Sequence, residues 1–323
     1  MCRSWGETTP LNQVTLKSPA TSANVGPGFD VFGLALEYPT DKVTLTLNRD
    51  KEIKIKVAGV QARTISKLPE RNTAGVVAKY MMQHFKLDSG LTVRINKGIW
   101  PSKGLGSSAA SAAAVAFGIN QLFDLKLTQE QLIQFAAKGE AASAGSEHAD
   151  NVSATICGDF VILRSYNPLE TVKLKAPADM EVCVAFPHMV TPPHKTAKAR
   201  SVVPKMVAIG KLVQNLGNAA AMVSGFAKGD VELIGKSMED VIVEPARAAS
   251  IPGYQQVKEN ALKAGACGVT ISGAGPAMLA VVNKKTADAD KVAAAMKAGF
   301  ESAKFEATAF ATKPGAGVCL LEN

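Results

Sequence analysis

A glycine-rich loop that runs directly into an alanine-rich segment constrains this chain more than any other feature. Residues 101–110 read PSKGLGSSAA, and the apolar pattern over residues 108–122 predicts a buried helix after the loop. Glycines let the backbone approach a ligand closely, and a helix start offers N–H donors at the positive end of its dipole. We therefore predict an anion-binding loop. The alternative, a plain connection with a serine helix cap, needs only one glycine and one serine.

Two other phosphate-binding patterns do not fit this loop. The sequence lacks the Walker pattern G-x-x-x-x-G-K-[ST]. Gly104, Gly106 and Ala109 satisfy the dinucleotide pattern G-x-G-x-x-A, but no apolar strand runs directly into Gly104. The acidic residue nearest the expected spacing, Asp124, follows a predicted helix instead of ending a strand. A dinucleotide site is therefore not favoured.

Composition indicates a folded protein without a nucleic-acid or membrane partner. The 323 residues are 47% hydrophobic and 20% charged, as in globular proteins, and a scale of about 150 residues per domain predicts two domains. The surplus of Lys and Arg, 36 against 28 acidic residues, is spread out, and aromatic residues are only 6%. The longest apolar stretch, near residues 109–119, is shorter than the roughly 20 residues that a membrane span needs.

Cysteine usage predicts a reducing compartment. The five cysteines lie far apart with no Cys-x-x-Cys pair, which favours buried thiols over disulfides, catalysis or a metal site. The first six residues contain no apolar segment of the kind found in secretory signals. We expect a cytoplasmic protein, or one in an organelle lumen if a transit peptide has been removed.

Alternating apolar residues predict several strands. Residues 43–47 and 53–57 alternate on either side of a polar turn, which predicts an antiparallel hairpin. Helical spacing follows at residues 74–84 and strand alternation at residues 91–95, while residues 165–170 are predicted to be a loop that approaches a domain boundary. Strands and helices in this order predict an α+β sandwich, a sheet with helices on one face.

A second helix carries an acidic residue on its buried side. Thr128 and Gln131 form a capping box, which predicts a helix that starts at Thr128. Leu132 and Ala136 lie on the apolar stripe of this helix, and Glu140 follows Ala136 by four residues on the same stripe. A carboxylate is therefore predicted to point inward. Such a residue needs a partner, which is either a ligand or a buried Lys or Arg.

At three places the chain resembles motifs of the GHMP small-molecule kinases. Residues 19–30, PATSANVGPGFD, are similar to the first motif, and residues 101–110 resemble the phosphate motif. Residues 268–277, GVTISGAGPA, resemble the third motif. The three motifs occur in order over nearly the whole chain. The family resemblance implies an ATP-dependent phosphotransferase.

Further residues are similar to the homoserine kinase branch of this family, namely 139–151, 196–200 and 244–247. The resemblance implies an N-terminal ATP-binding domain over residues 1–175 that is similar to the second domain of ribosomal protein S5. It also implies a C-terminal ferredoxin-like domain over residues 176–323, with the active site in the cleft between the two. This two-domain α+β architecture agrees with the order of the predicted elements.

The resemblance assigns the nucleotide-binding residues and the metal ligands. Asn72 and Lys97 match positions that flank the adenine, and Thr73 either touches the nucleotide or caps a helix. Mg²⁺ is assigned to Ser108 and Glu140, whose hard oxygen ligands suit this ion. The residues expected to hold ATP are Asn72, Lys97, Pro101, Gly104, Leu105, Gly106, Ser107 and Ser108.

The acceptor implied by the resemblance is L-homoserine. Its carboxylate would bind Arg200 and Arg247, because the guanidinium fork suits a carboxylate, and its ammonium would bind Asp30 and Asn24. Surface arginines and turn-forming Asx residues are the ordinary alternatives. The residues expected to bind homoserine are Asn24, Asp30, His148, Asn151, Thr196, Arg200 and Arg247.

The group that takes the hydroxyl proton is left open. Several relatives have an aspartate where this chain has Asn151, and an amide cannot accept a proton at neutral pH. Asp150, Asp30 and the transferred phosphate are the alternatives. The residues expected to take part in catalysis are Asn24, Asp30, Glu140, Asn151 and Arg200.

The resemblance thus implies a GHMP kinase that phosphorylates homoserine with ATP and Mg²⁺, and we expect a homodimer. One alternative is a kinase of the same architecture with another acceptor, such as mevalonate. Another is a catalytically silent nucleotide-binding sensor, and a third is a basic nucleic-acid protein built on the S5-like fold.

Overall fold

The computed structural model describes residues 11–144, 149–190 and 195–322, with the side chains of residues 141–144 left undescribed. Two sheets carry the strands. In chain order the strands are β1 (Gln13–Ala23), β2 (Phe32–Asn48), β3 (Ile53–Gly59), β4 (Gly90–Lys97), β5 (Phe160–Tyr166), β6 (Leu169–Leu174), β7 (Met180–Pro187), β8 (Gly268–Ile271), β9 (Met278–Asn283), β10 (Ala307–Thr312) and β11 (Cys319–Leu320).

Three buried apolar clusters join the helices to the sheets. In the second sheet, Val182 and Val184 pack with helices on one face, and Cys183 and Ala185 pack with helices on the opposite face. The predicted arrangement, with helices on one face only, is therefore wrong for this sheet. In chain order the α-helices are α1 (Thr73–His84), α2 (Ser107–Leu122), α3 (Gln129–Ala144), α4 (Asp150–Cys157), α5 (Lys195–Ser201), α6 (Ile209–Lys228), α7 (Val231–Lys236), α8 (Val243–Ala248), α9 (Tyr254–Lys263) and α10 (Ala289–Ser302). Among the described helices, none is long and apolar enough to cross a membrane.

The predicted hairpin between β2 and β3 is wrong, because β4 lies between them in the order β11-β1-β2-β4-β3. Leu45 of β2 pairs antiparallel with Val93 of β4, and Ile55 of β3 pairs parallel with the same Val93. Helix α1 connects β3 to β4, and such a crossover is what a parallel pair requires. Alternation identifies a strand with one buried face, but it does not identify the neighbour of that strand.

The predicted loop at residues 165–170 is also wrong. These residues form a tight hairpin, in which β5 and β6 continue up to a turn at Asn167 and Pro168. Tyr166 pairs with Leu169 on either side of this turn. The polar side chains of β6 suggested a loop because this strand is largely exposed.

The second sheet has the strand order β10-β7-β9-β8, and all its pairs are antiparallel. Helices α5 to α9 connect β7 to β8, and α10 connects β9 to β10. This is the split arrangement expected for a ferredoxin-like domain. The chain then returns to the first sheet, where β11 pairs with β1. The domain boundary between residues 175 and 176 stays a prediction. The structure adds that β11, near the end of the chain, belongs to the first sheet.

The capping box at the start of α3 forms as predicted. The amide of Thr128 donates to Gln131 Oε1 (2.9 Å), and the amide of Gln131 donates to Thr128 Oγ1 (3.3 Å). Leu132 and Ala136 are buried on the face that packs toward α1 and α2, and Glu140 is buried on the same face. The start of the helix therefore fixes the direction in which this carboxylate points.

Candidate active site

One cavity of about 830 Å³ is lined by residues from both sheets and their connecting loops. Every described residue that the sequence analysis assigned to a site lines this cavity, although these residues come from widely separated parts of the chain. His148 lies outside the described residues. The assigned residues in the cavity wall are Asn24, Asp30, Asn72, Thr73, Lys97, Pro101, Gly104, Leu105, Gly106, Ser107, Ser108, Glu140, Asp150, Asn151, Thr196, Arg200 and Arg247.

The glycine-rich loop has a backbone that only glycine adopts without strain. Gly104 and Gly106 have φ values of 89° and 63°, in the left-handed region. A Cβ on Gly104 would lie 2.3 Å from the Ser272 carbonyl oxygen, and one on Gly106 would lie 1.9 Å from Thr21 Oγ1. Helix α2 begins at Ser107, and its N-cap residue Gly106 has no side chain to cap it. The loop is therefore pressed between the first and third motifs, with the helix N-terminus facing the cavity.

Ser108 and Glu140 lie side by side at this helix start. Ser108 Oγ donates to Glu140 Oε2 at 3.1 Å, and Glu140 is 6% exposed. One hydroxyl and one carboxylate are hard oxygen donors, and Mg²⁺ commonly binds one or two carboxylates together with substrate phosphates and water. The residues present therefore fit Mg²⁺, and their assignment as its ligands stays a prediction.

A buried ion pair lies beneath the loop. The Lys97 ammonium contacts the Asp41 carboxylate and donates to the Ser107 carbonyl oxygen (2.8 Å) and to Ser111 Oγ (3.2 Å). Asp41 Oδ1 accepts the amides of Gly98 and Ile99, each at 3.0 Å. Burial raises the pKa of Asp41 and lowers that of Lys97, although each side chain opposes the shift of the other. The pair ties the end of β4 to the first turn of α2.

These contacts change the interpretation of Lys97. An ammonium has three N–H donors, and all three are used by Asp41, Ser107 and Ser111. Lys97 lines the cavity, but its charged end is directed into the protein instead of toward a nucleotide. A contact between Lys97 and the adenine stays a prediction, and the structure leaves only the methylene chain to make it.

Asn72 is also engaged in local structure. It caps α1, because its Oδ1 accepts the Ala74 amide at 3.0 Å, while its Nδ2 donates to the Ser66 carbonyl oxygen at 2.7 Å. The Thr73 hydroxyl reaches the Ser108 carbonyl oxygen at 3.4 Å. Both residues therefore hold α1 against the cavity wall, and their contacts with a nucleotide stay predictions.

Two arginines and an aspartate form the opposite half of the cavity. Arg200 Nη1 donates to Asp30 Oδ1 at 3.3 Å, and its Nη2 contacts Asp30 Oδ2. The guanidinium groups of Arg200 and Arg247 lie over the Phe29 ring, 5.4 and 5.2 Å from its centroid. Arg247 also donates to the carbonyl oxygens of Ala199 (3.2 Å) and Gly273 (2.9 Å). Phe29 thus holds two cations beside one carboxylate.

Asn24 shapes the loop that carries Asp30. Its Oδ1 accepts the Asp30 amide at 3.1 Å, and its Nδ2 donates to the Gly273 carbonyl oxygen at 3.0 Å. Asn24 and Asp30 have φ values of 70° and 58°, which Asn and Asp adopt more readily than most residues do. Asn24 therefore fixes the position of Asp30, and its contact with a substrate ammonium stays a prediction.

Asn151 lies between the two halves, at the start of α4. Its Oδ1 accepts the Thr21 hydroxyl at 2.8 Å, and its amide nitrogens, N and Nδ2, donate to Asp150 Oδ1 at 2.7 and 3.4 Å. The side-chain nitrogen has two N–H groups, and since Asp150 accepts one of them, the second is the group that Asn151 offers to a ligand. This agrees with the absence of basicity expected for an amide.

Sequence reasoning missed three charged residues of the cavity, Arg71, Lys103 and Lys195, and the last of these has a strongly shifted pKa. The Lys195 ammonium donates to the Ser102 carbonyl oxygen (3.1 Å) and contacts that of Gly275. Burial, followed by the positive charges of Lys103 and Arg247, lowers the pKa of Lys195 to about 7. No recognised motif includes Lys195, and its position directly before Thr196 was the available signal.

The chain matches two family models. The model described as the GHMP kinases N terminal domain matches residues 72–159, and the model described as GHMP kinases C terminal matches residues 222–302. The first match contains the phosphate loop, Glu140 and Asn151, and the second contains Arg247 and the third motif. Together the two models include the half of the cavity that holds the glycine-rich loop and part of the half that holds the two arginines.

Similar proteins agree with these matches. The homoserine kinase of Methanococcus vannielii is 45% identical over 276 residues, which is 85% of this chain and 89% of that protein. The homoserine kinase of Natronomonas pharaonis is 43% identical over 304 residues, covering 94% and 98% of the two chains. A crystal structure of homoserine kinase from Cytophaga hutchinsonii superposes with a TM-score of 0.90 at 36% identity, over 98% of this chain and 100% of that one. By sequence and by fold, the chain belongs to the GHMP kinase family.

Proposed function

We propose that this protein is a homoserine kinase, which transfers the γ-phosphoryl group of ATP to the hydroxyl of L-homoserine and so acts in threonine biosynthesis. The two archaeal relatives described above carry this name at 45% and 43% identity over most of the chain. The observation that supports the proposal best is the group of Asp30, Arg200 and Arg247 in the same cavity as the glycine-rich loop. An amino acid presents one carboxylate and one ammonium to such a group.

The half of the cavity that contains the glycine-rich loop, here called the donor half, holds the nucleotide in this proposal. The amides of residues 104–108 bind the triphosphate at the start of α2, because these donors and the helix dipole favour phosphate oxygens. Ser108 and Glu140 hold Mg²⁺, which neutralises charge on the phosphates when it is bound. Asp41 and Lys97 keep the loop in place from below. Little covalent chemistry is required of these side chains, since positioning and charge carry phosphoryl transfer.

The half of the cavity that contains Asp30, Arg200 and Arg247, here called the acceptor half, binds homoserine as a zwitterion. The substrate replaces the ion pair between Arg200 and Asp30. The homoserine carboxylate takes the place of Asp30 on Arg200 and also contacts Arg247, while its ammonium binds Asp30. Mevalonate has a carboxylate but no ammonium, so it would leave Asp30 without the cation that it now has. A partly buried carboxylate that loses its partner is unfavourable, and this disfavours mevalonate as the acceptor.

The hydroxyl is oriented by Asn151 and loses its proton to the phosphoryl group. Its oxygen bonds to the γ-phosphorus as the bond to the β–γ bridging oxygen breaks, and ADP leaves. Asn151 offers an N–H donor, Asp30 is occupied by the homoserine ammonium in this arrangement, and Asp150 Oδ1 accepts the N–H groups of Asn151. We therefore assign the proton to an oxygen of the transferred phosphoryl group.

A panel of four acceptors with ATP tests this proposal. L-Homoserine, 4-hydroxybutyrate, 3-amino-1-propanol and mevalonate share a primary hydroxyl, but the second lacks the ammonium and the third lacks the carboxylate. We expect kcat/KM to fall by about 100-fold or more for each of the last three, because a site that binds both groups rejects an analogue without one. Faster turnover of mevalonate than of homoserine would overturn the acceptor assignment, and no turnover of any acceptor would favour a silent nucleotide sensor.

Replacing Arg200 with alanine tests the carboxylate contact. Arg200→Ala should raise KM for homoserine by about 10-fold to 100-fold, which corresponds to the usual strength of a hydrogen bond to a charged group. KM for ATP should change little, since Arg200 faces the acceptor half. Lys198→Ala, on the exposed side of the same helix, is the control and should behave as the wild type. Equal increases in both KM values would contradict this role.

We further propose a cytoplasmic homodimer that binds neither nucleic acid nor membranes. Buried thiols at Cys157 and Cys183, with no disulfide, suit a reducing compartment. The start of α6 exposes Ile209, Val213 and Leu216, each at least 63% accessible. Light scattering should give about twice the chain mass of 33.7 kDa, and Leu216→Glu should lower it to the single-chain value. A wild-type mass of one chain would refute the dimer.

A further inference from the structure

Three cations meet where the phosphate loop touches the second sheet, namely Lys103, Lys195 and Arg247. Two of them are directed away from the loop. The Lys103 ammonium donates to the carbonyl oxygens of Pro187 (3.2 Å) and Met189 (3.4 Å) and lies 5.8 Å from the Phe186 ring centroid. Arg247 donates to backbone oxygens beside the acceptor half, as described above. Lys195 is therefore the member of this cluster whose charged end lies against the glycine-rich loop.

The Lys195 ammonium bridges the loop and the third motif. Its two partners are the carbonyl oxygens of Ser102, at the beginning of the loop, and Gly275, in the third motif. The Gly275 carbonyl oxygen also lies 2.8 Å from the point where Gly104 would carry a Cβ. The ammonium is thus separated from the loop backbone by a single carbonyl group, and it faces the cavity in which that loop lies.

The electrostatic surroundings of Lys195 are positive. Lys103 from the phosphate loop and Arg247 from α8 are the charged groups that act on it, and among the described residues no carboxylate contributes. The Asp30 charge acts on Arg200 and Arg247 instead. Two backbone carbonyl oxygens stabilise the charge of a half-buried ammonium only in part when the neighbouring charged groups are also cations. In the part of the chain that the structure describes, the Lys195 ammonium contacts carbonyl oxygens and no carboxylate, and the adjacent loop is built to bind an anion.

We propose that Lys195 binds the terminal phosphate of the nucleotide held on the loop, and that it takes up a proton when the nucleotide binds. The inference rests on the proposed function because it needs a nucleotide at residues 104–108. Lys195 directly precedes Thr196, and Arg200 lies further along the same helix, so α5 would contact the phosphate at one end and homoserine at the other. One short helix would then link the donor and acceptor halves of the cavity.

The proton uptake follows from the direction of the pKa shift. With a pKa of about 7, Lys195 is largely neutral at pH 8 before the nucleotide binds and largely charged at pH 6. A phosphate within hydrogen-bond distance favours the ammonium and raises the pKa again. Binding at pH 8 therefore draws up to about one proton from the solvent, and binding at pH 6 draws close to none.

Calorimetry with a non-hydrolysable ATP analogue and Mg²⁺ measures this uptake. Titrations at pH 8 and pH 6, each in two buffers of different ionisation enthalpy, give the number of protons exchanged on binding. For the wild type we expect about one proton at pH 8 and near zero at pH 6. Lys195→Met should show no uptake at either pH and an affinity weaker by about 10-fold to 100-fold. Lys198→Met, on the exposed side of α5, is the matched control and should behave as the wild type.

Lys195→Arg separates the charge from its titration. An arginine stays protonated at pH 8, so this variant should bind the analogue with near wild-type affinity but without proton uptake. Undiminished uptake at pH 8 in the arginine or methionine variant would overturn the inference. So would an unchanged affinity and an unchanged KM for ATP in Lys195→Met. Failure of the wild type to bind the analogue would instead refute the proposed function, so the two failures are distinguishable.

Discussion

Glu140→Gln is expected to lower kcat by about 100-fold to 1000-fold, the range found when one positioned charge-stabilising group is removed from an active site. Glutamine keeps the shape of the side chain and can still accept a hydrogen bond from Ser108. Its amide is neutral, however, and is a much poorer ligand for Mg²⁺ than a carboxylate. ATP should still bind, because the amides of residues 104–108 are unchanged. The measurements are kcat across a range of Mg²⁺ concentrations and the dissociation constant of the ATP analogue.

The control for this experiment is Glu130→Gln. Glu130 lies in the first turn of the same helix, outside the cavity, and among the described residues it accepts a long hydrogen bond from the Thr171 hydroxyl at 3.5 Å. Its substitution should leave kcat and the Mg²⁺ dependence as they are in the wild type. If Glu140→Gln also kept the wild-type kcat and Mg²⁺ dependence, Glu140 would not be a metal ligand.

Asp41→Asn is expected to lower the free energy of unfolding by about 3–5 kcal/mol, the usual result of breaking a buried ion pair from one side. Both side chains are at most 2% exposed, so the Lys97 charge would stay buried without its counter-ion. The neutral amide in this variant would also accept the backbone N–H groups of Gly98 and Ile99 less strongly than the Asp41 carboxylate does. Urea unfolding, followed by circular dichroism, measures the loss.

Two further variants show whether the loss comes from the buried pair. Asp88→Asn breaks the exposed pair between Lys51 and Asp88, whose side chains are 67% and 80% exposed, and should cost less than about 1 kcal/mol. Asp41→Asn combined with Lys97→Met removes both charges and should recover much of the stability. An Asp41→Asn variant that is no less stable than Asp88→Asn would show that the pair beneath the loop contributes nothing.

The sequence predicted the parts of the site that depend on local signals. The capping box at Thr128 and Gln131 and the buried stripe of α3 were enough to direct Glu140 inward, and the glycines at 104 and 106 were enough to predict the loop. These features are set by residues near one another in the chain. The resemblance to the GHMP kinases then supplied the distant members of the site, such as Arg200 and Arg247.

Local signals of this kind do not predict which strands pair or which distant side chains come into contact. The insertion of β4 between β2 and β3 depends on the crossover helix α1 and on burial of Val93, neither of which changes the alternation of the strands. Asp41 reads as an ordinary polar residue of a strand, and its role follows only from the contact with Lys97, 56 positions away. Lys195 acquires its surroundings from two separate loops and from helix α8. Such residues are defined by the tertiary fold.

The nucleotide site is tested most directly by a crystal structure of the chain with a non-hydrolysable ATP analogue, Mg²⁺ and L-homoserine. We expect the triphosphate on the amides of residues 104–108, the metal beside Ser108 and Glu140, and the homoserine carboxylate on Arg200 and Arg247. A nucleotide bound away from the glycine-rich loop, or a metal that Glu140 does not contact, would contradict this assignment.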